Sequence, residues 1–98
     1  MSSAIDRQKK ELLSEMEDFI EELGMKKRPA NNPEGQALAA LKRAYVTLAD
    51  EWTRNAAEVA VYFLDSCMVK QRGEDPLLLE RMSRLARKIE RIGQNLNR

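Results

Sequence analysis

The sequence predicts an all-α protein: an elongated antiparallel three-helix protomer with a long central helix, which we expect to form a dimeric helical bundle. Three observations predict this class. Apolar residues recur at helical spacing along most of the chain, and the helix-favouring residues Ala, Leu, Glu, Lys and Arg are abundant. The 4 glycines and 3 prolines are too few for the many turns of an all-β chain. A length of 98 residues fits a single helical domain.

The first helix is predicted over residues 4–23. Ser3 and Asp6, three residues apart, form the pattern of a capping box. Apolar residues then recur at alternating spacings of four and three, at Leu12, Met16, Phe19 and Leu23. Gly24 follows the last of them, and glycine is common just after a helix ends.

The central helix is predicted over residues 33–71. Asn32 and Pro33 form an N-cap followed by proline at the first helical position, and no glycine or proline interrupts the pattern between Gly35 and Gly73. A continuous helix of this length would extend about 58 Å. The most polar interruption lies at 53–55, where the helix could bend.

The third helix is predicted over residues 76–96. Gly73 ends the preceding helix, Asp75 is the expected N-cap, and Pro76 takes the first helical position. The apolar positions of this helix are Leu78, Met82, Leu85, Ile89, Ile92 and Leu96. Two small residues beside them, Ala86 and Gly93, would let another helix approach closely.

The longest nearly continuous apolar run, from Ala56 to Val69, predicts an interface. Short connections make consecutive helices antiparallel, so each outer helix covers one half of the central helix. Apolar surface left over would be extensive for a soluble monomer, and we expect a two-fold homodimer to bury it. The residues predicted for this dimer or partner interface are Trp52, Val59, Tyr62, Phe63 and Cys67.

The charges balance overall but are separated along the chain. With 17 basic and 16 acidic residues the net charge is +1, which indicates no general attraction to nucleic acid or to a membrane. Residues 3–23 carry seven acids and three bases, whereas residues 76–98 carry six bases and two acids. In a dimer the acidic first helix and the basic third helix could pair across chains.

The basic positions also give an alternative function. Phosphate contacts are conceivable in the loop after the first helix and along one flank of the third helix. The residues concerned are Lys26, Lys27, Arg28, Arg81, Arg84, Lys88 and Arg91. Two structural interpretations compete with this one: the loop cations complement the dipole of the first helix, and the flank pairs with the carboxylates of that helix.

The residue inventory argues against an enzyme. The chain has no histidine and one cysteine, Cys67, so it lacks the commonest general base and cannot form a structural zinc site alone. Glu15 and Asp18 match one E-x-x-D magnesium motif of all-helical nucleotide pyrophosphatases, but the second motif is missing because Val61 follows Glu58 at the required spacing. We therefore expect no cofactor, no metal and no small-molecule substrate.

The sequence predicts a cytoplasmic protein without a membrane segment. The N-terminal residues contain no apolar stretch typical of a signal peptide. The apolar run at 56–69 is too short and too charged to span a bilayer. A single cysteine rules out an intrachain disulfide, which agrees with a reducing compartment.

A short segment near the C-terminal end has a local resemblance. Residues 89–97, IERIGQNLN, resemble an I-G-x-N-L-N element of small plasmid mobilisation accessory proteins. The resemblance covers about a tenth of the chain. The ribbon-helix-helix region expected upstream in that family is not present in this sequence, so no function is transferred.

These observations favour a small non-enzymatic interaction or regulatory protein of the adaptor, chaperone or inhibitor type. We expect it to bind another protein and to self-associate through the central helix. The alternative is a nucleic-acid-binding regulatory protein that uses the basic flank of the third helix and residues 26–28.

Overall fold

The computed structural model describes residues 3–25, 33–70 and 75–96. These residues form four α-helices: α1 (Ser3–Gly24), α2 (Pro33–Asp50), α3 (Arg54–Lys70) and α4 (Pro76–Asn95). Within the described ranges there is no β-strand, which confirms the predicted all-α class. None of the four helices, over the residues that the structure describes, is both long enough and apolar enough to cross a membrane.

The predicted central helix is two helices in the structure, so the described residues form four helices rather than three. Residues 51–53 are not helical and separate α2 from α3. Thr53 begins the new helix: its hydroxyl accepts a hydrogen bond from the Ala56 backbone N–H at 3.0 Å, and its carbonyl accepts one from Ala57 at 3.0 Å. This hydroxyl is an N-cap, which satisfies a backbone donor that the first turn leaves unpaired. The interruption lies just before the bend considered at 53–55.

The four helices pack as a bundle in which each helix contacts the next and α1 closes the ring against α4. Glu22 pairs with Arg81 and Glu15 pairs with Lys88, so α1 and α4 run antiparallel. The bundle measures 44 × 24 × 20 Å along its principal axes. The chain therefore folds back on itself at residues 51–53, and α2 and α3 form an antiparallel hairpin.

The core receives one apolar line from each helix. Its largest fully buried side chains are Met16, Leu41, Leu48, Leu64, Met82, Leu85 and Ile89. Ala57, Ala60 and Cys67 from the apolar run of α3 lie in the same core. Because α2 and α3 cover each other, much of the surface for which the sequence predicted a second chain is buried within one chain.

The start of α4 and its contact with α3 follow the sequence pattern. The Asp75 side chain accepts a hydrogen bond from the Leu78 backbone N–H at 3.2 Å, and Pro76 occupies the first turn. Gly93 is buried, and a Cβ at this position would lie 2.6 Å from the Cβ of Ala57. The helices thus approach closely at the small residue, as its place beside the apolar line predicted.

Candidate functional site

The basic flank of α4 pairs with acidic residues of α1 in the same chain. The Arg81 guanidinium donates to both carboxylate oxygens of Glu22 at 2.9 and 3.1 Å, and it also lies 4.0 Å from the centroid of the Phe19 ring. The Lys88 Nζ lies 3.1 Å from both carboxylate oxygens of Glu15. The acidic and basic helices therefore meet within one protomer, which is the structural interpretation considered for this flank.

The other cations predicted to contact phosphate differ in whether a carboxylate pairs with them. Arg84 pairs with Glu80 on its own helix at 2.8 Å. Arg91 is exposed and makes no ion pair within the described part of the chain. Lys26, Lys27 and Arg28 lie outside the described residues. Of the four predicted cations on α4, three are thus partly neutralised by a carboxylate, and Arg91 alone carries an unpaired charge.

The carboxylates of α1 show no arrangement for metal binding. Glu15 and Glu22 pair with the cations of α4, and Glu17 accepts a hydrogen bond from the Tyr45 hydroxyl of α2. This hydrogen bond holds the proton on the phenol and raises the pKa of Tyr45 above its usual value. Over residues 3–25, 33–70 and 75–96, no three His, Cys, Asp or Glu residues cluster closely enough to hold a metal ion.

The five residues predicted for a dimer or partner interface separate into two groups. Trp52 and Cys67 are buried in the chain's own core, with exposed fractions of 9% and 8%. Burial raises the pKa of the Cys67 thiol, and the nearby Lys70 ammonium offsets part of that rise. Phe63 is half-buried, whereas Val59 and Tyr62 are exposed. Only the last three remain accessible to another molecule.

Two of these three, Tyr62 and Phe63, line a groove that runs between the two helices on the outer face of the α2–α3 hairpin. We call it the hairpin groove. The residues that line the hairpin groove are Gln36, Ala39, Ala40, Arg43, Tyr62, Phe63, Ser66, Cys67 and Lys70.

Exposed apolar side chains continue this face toward the turn between the helices. Val46 lies one helical turn beyond Arg43, and Val59 lies one turn before Tyr62. Their exposed fractions are 65% for Val46, 40% for Val59 and 67% for Tyr62. The Tyr62 ring packs against the half-buried Phe63 ring with centroids 6.2 Å apart and planes inclined by 55°. This contact supports the exposed ring from one side.

The hairpin groove also carries positive charge. Arg43 and Lys70 line it, and among the described residues that line it none is acidic. Neither cation makes an ion pair within the described ranges. By contrast, the groove between α1 and α4 has a mixed lining, with Glu11 and Glu15 beside Lys88 and Arg91. The hairpin groove therefore combines exposed apolar surface with positive charge that no carboxylate in the described part of the chain neutralises.

The sequence predicts the aromatic part of this groove but not its cations. Val59, Tyr62 and Phe63 were predicted as interface residues, whereas Arg43 and Lys70 were not. On a continuous central helix these two residues would lie 27 positions apart, or about 40 Å. The break at 51–53 brings them to one groove.

No protein-family model, no curated protein and no solved structure matches this chain. The candidate site consequently stands on the chemistry of its own side chains.

Proposed function

We propose that this protein is a small non-enzymatic regulatory or adaptor protein that binds another protein through the outer face of the α2–α3 hairpin. The observation that carries the proposal is Tyr62, a large aromatic side chain that is 67% exposed beside a groove. Tyrosine is enriched among the residues that dominate binding energy at protein interfaces. A groove between two helices is a common docking site for a partner helix.

The apolar residues around Tyr62 support the same face. Val46 and Val59 are exposed on it, and Phe63 is partly accessible. Exposed apolar residues scattered singly need no explanation, but several on one face beside a groove favour an interaction surface. The lack of histidine and the single, buried cysteine leave few candidates for acid–base or nucleophilic catalysis, which favours a binding role over an enzymatic one.

Nucleic-acid binding at the basic flank of α4 has weaker support. Arg81 and Lys88 pair with carboxylates of α1, and Arg84 pairs with Glu80. A phosphate would have to compete with those carboxylates, and each broken pair would reduce the net gain. This alternative is an outcome of the experiment described below.

Self-association through residues 33–71 stays a prediction. The accessible residues of the predicted interface, Val59, Tyr62 and Phe63, belong to the proposed partner face, so a dimer and a partner would compete for the same surface. Light scattering coupled to size exclusion measures this directly. A particle of two 11.3 kDa chains that Tyr62→Asp dissociates would establish the dimer, whereas an 11.3 kDa monomer would leave the face to a different partner.

Site-specific photo-crosslinking in the source cells tests the proposed function. A benzophenone amino acid replaces Tyr62 in one variant, Arg84 on the basic flank of α4 in a second, and Ser14 on the exposed side of α1 in a third. We expect a protein adduct of discrete mass from position 62 and none from position 14. The same band should disappear on protease treatment and survive nuclease treatment.

Two outcomes would overturn the proposal. The first is an identical set of adducts from positions 62 and 14, which would show that contact with the hairpin face is nonspecific. The second is a nuclease-sensitive adduct from position 84 without a protein adduct from position 62, which would assign the function to nucleic-acid binding at α4.

A further inference from the structure

We infer that the hairpin groove takes an amphipathic helix of another protein that carries two acidic side chains about two helical turns apart. The inference rests on the proposed function and names the chemistry of the partner. It combines two properties of the groove, its unpaired cations and its aromatic wall, and neither property alone would select this partner.

The cations set the charge of the partner. Arg43 and Lys70 line the groove with no described carboxylate among the other lining residues, although most cations on α4 have a carboxylate partner. Arg43 and Lys70 are exposed, so water screens their charges in the free protein. A partner helix in the groove would displace part of that water and strengthen the attraction between these cations and its carboxylates. Two carboxylates would complement this lining, whereas two further cations would be repelled.

The hairpin geometry sets the spacing of the carboxylates. Because α2 and α3 are antiparallel, Arg43 lies near the Tyr62 end of the groove and Lys70 lies near the Gln36 end. Tyr62 and Lys70 are eight residues apart on α3, which corresponds to about 12 Å along the helix axis. A partner helix places two side chains on one face at close to this spacing from positions i and i+7.

The aromatic wall between the two cations determines where the partner helix carries apolar side chains. Tyr62 and Phe63 supply aromatic surface, and Ala39 on the facing helix is small enough to leave room for an inserted side chain. Apolar residues at i+3 and i+4 of the partner helix would lie between its two carboxylates and face this surface. Leucine suits both positions because it favours helix and has the length to reach the groove.

A second copy of this chain fits the groove less well. A two-fold contact between two hairpin grooves would bring Arg43 and Lys70 of one copy against the same cations of the other, with no carboxylate among the described lining residues of either copy. The acidic helix α1 of a second copy supplies charge, but its apolar residues Leu12, Met16 and Phe19 are buried in the bundle core. The charge pattern therefore favours a different protein.

A single-stranded nucleic acid could also pair phosphates with the two cations and stack a base on Tyr62. Proteins that bind single strands without sequence preference usually provide several aromatic platforms along a basic groove. This groove offers one largely exposed ring, because Phe63 is half-buried. A partner helix would cover more of the aromatic wall than a single stacked base would. An oligonucleotide therefore serves as a competing probe in the experiment.

The experiment measures binding of a fluorescein-labelled designed helical peptide by anisotropy. The peptide carries Glu at i and i+7 and Leu at i+3 and i+4, and a matched peptide carries Gln in place of both Glu. We expect the Glu peptide to bind the full chain about tenfold more tightly than the Gln peptide, the combined effect of two charge pairs. The paired peptides test the charge without altering the protein.

Matched protein variants locate the effect. The double change Arg43→Glu and Lys70→Glu should weaken binding of the Glu peptide by at least about tenfold. Lys42→Glu alters an exposed cation next to Arg43 that does not line the groove, and it should change affinity by less than about twofold. Circular dichroism melting of each variant checks that the bundle remains folded.

Four results would overturn the inference. Equal affinity for the Glu and Gln peptides would remove the role of charge, and an equal loss in Lys42→Glu would show nonspecific attraction. Tighter binding of an oligothymidine that depends on Arg43 and Lys70 would assign the groove to nucleic acid. If a protein adduct forms at position 62 but Arg43→Glu with Lys70→Glu leaves its yield unchanged, the proposed function stands and the acidic partner does not.

Discussion

Gly93 of α4 lies directly against Ala57 of α3, where a Cβ on the glycine would be 2.6 Å from the alanine Cβ. Both residues are buried, and the alanine Cβ is fixed to its backbone. No side-chain rotation can therefore relieve an added methyl group. The distance between α3 and α4 at this end of the bundle depends on the absence of a side chain at Gly93.

Gly93→Ala is expected to destabilise the protein, although alanine favours helix by about 1 kcal/mol over glycine. Overpacking a close helix contact costs about 1–3 kcal/mol, and the methyl group would force the two helices apart. Thermal or urea unfolding followed by circular dichroism measures the change. Gly24→Ala is the matched control, since no atom lies within 4 Å of its added Cβ. A Gly93→Ala protein more stable than wild type would contradict the close contact.

The Arg81–Glu22 pair should contribute a small but measurable coupling energy between α1 and α4. Both side chains are about half exposed, at 46% and 51%, so water screens the pair. A double-mutant cycle with Arg81→Ala and Glu22→Gln should give about 0.5–1 kcal/mol, near the upper end for exposed pairs because the contact is bidentate. Arg84 and Glu80, which pair within α4, provide the comparison. A coupling energy of zero would mean that the pair does not hold the two helices together.

The cation–π contact of Arg81 allows the effect of its flat guanidinium to be separated from the effect of its positive charge. Its guanidinium lies 4.0 Å from the centre of the Phe19 ring, so Arg81→Lys keeps the charge but loses the flat stacking and one donor of the bidentate pair. We expect Arg81→Lys to fall between wild type and Arg81→Ala in free energy of unfolding. Identical stabilities for lysine and arginine would show that charge alone matters at this position.

Stability should decline as the solution becomes strongly alkaline. Burial raises the pKa of Cys67 above its ordinary value of 9.0 in the folded protein. A group with a raised folded pKa contributes its stability below the unfolded pKa and loses it as pH rises through the folded value. Urea midpoints measured from neutral pH to about pH 10 should therefore fall above about pH 9.

Two substitutions identify the groups behind this decline. Cys67→Ala removes the thiol and should flatten the onset near pH 9. Tyr45 also has a raised pKa, chiefly because its hydroxyl donates to Glu17, and Tyr45→Phe should act only at higher pH. A decline near pH 9 that is unchanged in Cys67→Ala would exclude the thiol as its cause.

The turn between α2 and α3 should depend on Thr53. Its hydroxyl caps the first turn of α3, so Thr53→Ala should reduce the free energy of unfolding by about 1 kcal/mol, and Thr53→Ser should retain most of it. Trp52, the only tryptophan, is buried beside this cap and reports the transition by fluorescence. Equal stability of the Ala and Ser variants would show that the cap does not fix the start of α3.

Much of the helical content was predictable, because apolar spacing and caps are local signals. The Leu12 to Leu23 line of α1 and the Asp75–Pro76 start of α4 carry such signals. The break at 51–53 carries only a weaker signal, the polar residues at 53–55. Trp52 continues the apolar spacing, and neither glycine nor proline marks the turn. Burial of Trp52 and one side-chain cap stabilise the turn. The burial depends on tertiary packing, so it cannot be predicted from local sequence propensity.

The candidate site was only half predictable for the same reason. Tyr62 and Phe63 stand out in an apolar run and predict an interface without knowledge of the fold. Arg43 joins them only after the hairpin has formed, because its neighbours on α3 are distant in sequence. Likewise, opposite charges at the two ends of the chain predict pairing, but only the closed bundle places both helices in one protomer.

The central claim is that binding occurs at the hairpin groove rather than on the basic flank of α4. Amide NMR shifts of the isotope-labelled full chain, recorded as the Glu peptide is added, test it most directly. We predict saturable shifts at Ala39, Arg43 and Tyr62, with the amides of Arg84 and Arg91 unmoved. Shifts centred on Arg84 and Arg91, or no shifts at the highest peptide concentration, would contradict it.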